Sequence, residues 1–142
     1  MKTINQRAKK LVGKIKHIVN EENKIVVGLS EDADLEWYLR NKFDATQNLL
    51  MNFAINTEGT PIKVIAKCSE PDTFDKHIGM DIVDLKIMYK FHIQAYNKLR
   101  SAKRYFRKLI KRIDEKILEE DTIICDIEEK LDKYSEGESS AT

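Results

Sequence analysis

Proline is nearly absent from this chain. Two occur in 142 residues, Pro61 and Pro71, both in the first half. Glycine is scarce too, and between Met80 and Tyr134 there is neither. Nothing there forces a helix to break. Cysteine is limited to Cys68 and Cys125, with no CxxC pair and no histidine at metal-ligand spacing. That excludes a disulfide scaffold and a zinc site and predicts two buried, reduced thiols. No apolar run approaches ~18 residues, so no membrane span is expected. The basic N-terminus lacks the apolar core of a signal peptide, so the cytoplasm is the expected compartment. GxSxG, P-loop and HExxH motifs are missing, and His17, His77 and His92 are scattered. No enzyme activity, catalytic residue, cofactor or metal is expected.

The longest signal is an apolar stripe. Alternating steps of three and four residues meet Ile82, Leu85, Tyr89, His92, Tyr96, Leu99, Lys103, Phe106, Ile110, Ile113, Ile117, Glu120, Ile124, Ile127, Leu131 and Tyr134. This is a coiled-coil seam interrupted only by His92, Lys103 and Glu120. A helix over the stretch would be roughly 80 Å long at ~1.5 Å per residue. A small head domain cannot cover such a stripe, so it must fold back on itself or meet another chain, and a homo-oligomer is expected.

Net charge is only +1, but the signs are segregated. Lys98, Arg100, Lys103, Arg104, Arg107, Lys108, Lys111 and Arg112 form a basic run free of acids, and residues 114–136 are strongly acidic. Antiparallel pairing lays one block on the other, whereas a parallel in-register pair sets like on like. That pairing fits a hairpin broken near Glu119–Thr122 and a two-chain assembly alike.

The first 79 residues read as a smaller α+β head. Ile4, Ala8, Leu11, Val12, Ile15, Ile18 and Val19 share a helical face, predicting a helix over residues 3–20 capped by Thr3. Lys24–Leu29 reads as a strand, and a short helix follows over Asp32–Lys42. Met51, Phe53 and Ile55 alternate with polar residues, as do Ile62, Val64, Ala66 and Cys68. With a Gly/Pro turn between them they predict a β-hairpin; a helix across Ala45–Phe53 is the rival. Asp72 or Thr73 can cap the next helix, and Gly79 in its first turn implies a close contact. Residues 135–142 are expected to be a disordered tail. The fold class is therefore α+β: a small antiparallel sheet with short helices (1–79), then a long coiled-coil-like helix or helical hairpin (80–134).

The stretch Ile65-Ala-Lys-Cys68, then Pro-Asp-Thr-Phe-Asp75 and Gly79 ahead of an apolar helix, resembles a group of small phage-encoded proteins. Among these it resembles the phage anti-Thoeris sponges. The likeness covers residues 62–90, and Pro71 stands two residues later than the pattern has it. The resemblance implies a phage protein in the host cytoplasm. It would sequester, without cleaving it, a cyclic-ADP-ribose-type nucleotide signal and so block a bacterial anti-phage defence.

No binding residue transfers from that group one for one, so a ligand site must come from the residues themselves. Phe74 at a helix N-terminus could cover a base. A pocket between helices could use His92, Tyr96 and Phe106 with Arg100, Lys103, Arg104 and Arg107: rings for an adenine, cations for phosphates. The structural alternatives are that Phe74 is a core staple and that the polar seam residues fix register. In a second function class, the basic face contacts nucleic acid or a protein partner as an inhibitor or regulator.

Overall fold

A computed structural model describes residues 12–68 and 74–141, with side chains described as far as Glu136. Three strands, β1 (Ile15–Asn20), β2 (Ile25–Ser30) and β3 (Ile62–Lys67), form an antiparallel sheet in the order β1-β2-β3. Two short helices, α1 (Leu35–Arg40) and α2 (Ala45–Ala54), connect β2 to β3, and one helix, α3 (Lys76–Ala141), completes the chain. The fold is α+β, as the sequence predicts. The chain divides into two compact units, Met1–Ala102 and Lys103–Thr142, so α3 contributes to both.

The β1–β2 hairpin overturns part of the helix expected over residues 3–20. Residues 1–11, including Thr3, lie outside the described residues, but Ile15–Asn20 is a strand. Its period is two: Ile15, His17 and Val19 turn inward while Lys16, Ile18 and Asn20 are exposed. Three of its six residues are β-branched aliphatics, which favour the extended backbone. Gly13, at φ 72°, sets the chain's entry, and Lys24, at φ 53°, closes the turn into β2. Register brings Ile15 opposite Ser30, His17 opposite Gly28 and Val19 opposite Val26.

The hairpin expected around Pro61 does not form. Its first arm is α2, and its second, β3, pairs with β2 instead, Ile65 opposite Val27. The rival helical reading was correct, and the reason is local. The Asp44 carboxylate accepts from the Gln47 N–H at 2.7 Å, and the Gln47 side chain accepts from the Asp44 N–H at 3.1 Å. This capping box satisfies donors that a strand would have to pair elsewhere. Helix α1 forms within the range expected for it, with the Asp34 carboxylate accepting from the Trp37 N–H.

The core lies between the inner face of the sheet and one side of α3. Val26, Ile62, Val64 and Ala66 meet Val83, Ile87, Phe91 and Ala95, with Leu35, Leu39 and Val12 completing the cluster. Phe74 is half-buried against it, in the staple role. The cap expected at Asp72 or Thr73 lies outside the described residues; at the start of α3 the Asp75 carboxylate accepts from the His77 N–H at 2.9 Å. The close contact that Gly79 implies is present: a Cβ there would stand 2.6 Å from Val26 Cγ2. Gly28 is tighter still, since a Cβ would fall 1.8 Å from Val83 Cγ1. Edge strand β1 is tied to α3 by His17 Nε2 and Asp84 Oδ1 at 2.6 Å, both side chains largely buried.

The helix is continuous from Lys76 to Ala141, so the hairpin break near Glu119–Thr122 does not occur, and the helix enters the segment expected to be a tail. Cys125 is exposed, contrary to the buried thiol expected, and Cys68 is half-buried just beyond β3.

Substituting Gly28→Ala should destabilise the head by about 1–3 kcal/mol, because Val83 is β-branched and held at one rotamer on the helix. Adding Val83→Ala should recover part of that loss. Urea unfolding midpoints of the single and double variants check both statements.

Candidate functional site

The inner and outer faces of α3 have different fates in the head unit. Val83, Ile87, Phe91 and Ala95 are buried, while the seam residues Ile82, Leu85, Tyr89 and Tyr96 are exposed, Tyr89 by 68%. At ~100° per residue the seam lies on nearly the opposite side of the helix from the buried stripe. Periodicity alone found the seam and missed the core stripe, whose small members, Ala95 and Ala102, carry a weak hydropathy signal.

Of the residues considered for a ligand, His92, Tyr96, Arg100 and Phe74 belong to the head unit. His92 is taken up by its neighbours. Its Nδ1 lies 3.4 Å from Tyr38 Oη, and its ring meets Tyr38 and Phe91 edge-on at 5.5 Å. Lys42 Nζ stands 4.4 Å over the Tyr38 ring. Partial burial, with the Lys42 charge second, holds the His92 imidazole below its usual pKa of 6.5. His92 thus acts as a neutral core-edge residue. Phe74 is likewise committed to the core. Tyr96 is exposed, and the Arg100 guanidinium lies 5.6 Å from its ring centroid, a cation–π contact at the surface.

Lys103, Arg104, Phe106 and Arg107 belong to the second unit. Phe106 is half-buried, meeting Tyr105 edge-on at 5.4 Å, and the three cations are exposed. From Arg107 to Glu136 every residue is exposed, including Ile110, Ile113, Ile117, Ile124, Ile127 and Leu131. A shallow groove of about 540 Å³ runs along the seam at Ile113, Ile117 and Ile124.

The electrostatics of α3 are simple. Among the described residues, none of the eight cations from Lys98 to Arg112 forms an ion pair. They occupy about 21 Å of helix at ~1.5 Å per residue. Arg104, Lys108 and Lys111, at i, i+4 and i+7, share one face away from the seam. In the acidic half the described ion pair is Lys116–Glu119 at 3.1 Å.

Elsewhere in the head, α2 buries none of its side chains: Leu49, Leu50 and Phe53 are all exposed, Phe53 by 77%. Among the described residues no three His, Cys, Asp or Glu side chains gather as a metal site, and no helix is long and apolar enough to cross a membrane. Comparison with protein-family models, curated proteins and solved structures finds no match to this chain.

His92 gives a pH prediction with a definite sign. Its folded pKa is lowered, so the unfolded chain takes up the proton first and stability falls as pH drops below about 6.5. His92→Gln should remove that share of the acid sensitivity. Unfolding midpoints between pH 7.5 and 5, wild type against variant, provide the check, and an NMR titration midpoint above 6.5 for His92 would contradict the lowered value.

Proposed function

We propose that this protein is a non-catalytic binding protein, assembled from copies of itself, that holds a polyanionic partner along the basic run of α3, with the nucleic-acid backbone as the partner class. One observation carries this reading: eight cations follow one another along a single helix, Lys98 to Arg112, with no ion pair among the described residues. The helix fits a repeating phosphate chain better than a compact ligand, because Arg104, Lys108 and Lys111 share one face and can meet successive phosphates. The near-zero net charge does not oppose this, since acidic and basic segments are separate and screening limits each field to about 8–10 Å at physiological salt.

A second reading is the narrower one that the resemblance to phage anti-Thoeris sponges implies: capture of a cyclic adenine nucleotide. Tyr96 with Arg100 over its ring supports it, offering an exposed aromatic face beside a cation. His92 and Phe74, engaged in the head, contribute less to such a site than their spacing suggests.

Fluorescence anisotropy with a short labelled DNA duplex tests the first reading. Affinity should fall steeply with salt, and Arg104→Gln with Lys108→Gln and Lys111→Gln should weaken binding and reduce the log–log salt slope by about one per cation removed. No binding at low salt, or binding indifferent to the triple change, overturns it. Calorimetry with a cyclic adenine nucleotide tests the second: heat that Tyr96→Ala and Arg100→Ala abolish supports it, and no heat with the parent protein removes it.

A further inference from the structure

Among the described residues nothing covers the exposed stripe on the second half of α3. Ile110, Ile113, Ile117, Ile124, Ile127 and Leu131 are each about half exposed or more on one uninterrupted helix. A contiguous apolar stripe of this length is not a stable free surface. Because the helix does not turn back, its own acidic half cannot reach its basic half. A second copy can, and the identities of the polar seam residues fix how.

We propose that two copies pair antiparallel through α3 in a single register, in which Lys103 of each copy faces Glu120 of the other. This rests on the assembly stated above and gives it a direction and a register. Writing Lys103 as heptad position a makes Phe106 d, Ile110 a, Ile113 d, Ile117 a and Glu120 d. In an antiparallel pair a meets d. If Lys103 faces Glu120 of the second copy, Phe106 faces its Ile117, and Ile110 its Ile113. The three layers repeat by symmetry. The same register sets Leu99 opposite Ile124 and Tyr96 opposite Ile127. Both polar residues of the segment from Tyr96 to Ile127 are then used together, each meeting the charge it needs, and every other layer of that segment is apolar; beyond it Leu131 falls opposite His92. The flanking e positions agree independently: Arg107 lies beside Asp114 of the second copy, and Arg100 beside its Asp121. Among the described residues none of these four side chains has an ion partner in the single chain.

The competing arrangements fail on the same residues. A shift of one heptad puts Lys103 against Ile127 and Glu120 against Ile110, burying two charges without partners, and brings Asp114 against its own copy. A parallel in-register pair sets Lys103 on Lys103, Glu120 on Glu120 and each charge block on its like. A single polar pair at a and d positions is a known means of specifying register.

The register leaves a distinct set of cations outward. Arg104, Lys108 and Lys111 fall at b and f, and Lys98 and Arg112 at c, away from the second copy, while Lys103, Arg100 and Arg107 are consumed by pairing. Assembly and polyanion binding therefore draw on different residues of one run.

Two measurements on the full chain test this. The first is sedimentation of charge-swap variants. Lys103→Glu alone and Glu120→Lys alone should each weaken self-association by about tenfold or more, since each places two like-charge contacts in the pair. The double variant K103E/E120K should associate within a few-fold of the parent. Single variants that associate as the parent does, or a double variant no better than the singles, overturn the register. The second is disulfide trapping in a C68S/C125S background. A chain carrying R107C mixed with one carrying D114C should yield the mixed disulfide, while neither chain alone should crosslink to itself. Self-crosslinking of the R107C chain means an antiparallel pair shifted by one heptad and overturns the register while leaving assembly standing. A parent protein that sediments as a monomer at micromolar concentration overturns both. Loss of DNA binding with the mixed disulfide intact would count against the proposed partner and not against the register.

Discussion

The head depends on how closely α3 approaches β2. Two glycines set that distance: Gly28 on the central strand beneath Val83, and Gly79 in the helix's first turn above Val26. With no Cβ at either point the helix settles into the sheet, and Val83, Ile87 and Phe91 reach full burial. The approach fixes more than distance. Once those residues face the sheet, the rotation of the helix about its axis is decided, and everything on its other side is committed to solvent or to a partner. The His17–Asp84 contact holds the edge strand to the same helix, so all three strands are referenced to one element.

This explains which parts of the fold were legible. The α3 seam was plain, because large aliphatic and aromatic residues repeat along it with no breaker in the way. The stripe that forms the head's core was not, although it lies on the same helix. Its members include Ala95 and Ala102, and its most demanding contacts are made against a glycine, which no hydropathy pattern records. In β1 the error was one of period. Ile15, Ile18 and Val19 fit a helical face by spacing, yet Ile15, His17 and Val19 fit a strand, and the partner in β2 settled the matter. In α2 the decisive signal was present in the sequence: Asp44 and Gln47 stand at capping-box spacing ahead of the apolar residues. The alternation of Met51, Phe53 and Ile55 points to a strand, and in the fold the cap outweighs it.

The candidate site divides along the same lines. Charge segregation is readable because it needs only counting, and among the described residues the basic run has no ion partner in the single chain. Residue roles were less readable, because they depend on what a helix face is turned toward. His92 occupies a seam position by spacing, but Tyr38 and Phe91 enclose it from the side, so it belongs to the edge of the head. Phe74 looked equally suited to a base and to a core, and the core took it.

The cations of α3 are therefore not one feature. In the proposed pair their heptad positions sort them into residues that face the second copy and residues that cannot, and the same sorting applies to the acids from Asp114 on. In the proposed pair, the acids nearest the seam neutralise the cations nearest it. The residual field on the outer face is then positive near Arg104 to Lys111 and negative where Glu115 and Glu129 stand. On the proposed function, such a surface would meet a polyanion at its basic segment and repel it from the acidic one, so that the chain's own charge pattern limits the contact length. A protein with nearly balanced charge can in this way present a bounded cationic strip, and the strip's extent follows from which positions the coiled coil leaves uncovered.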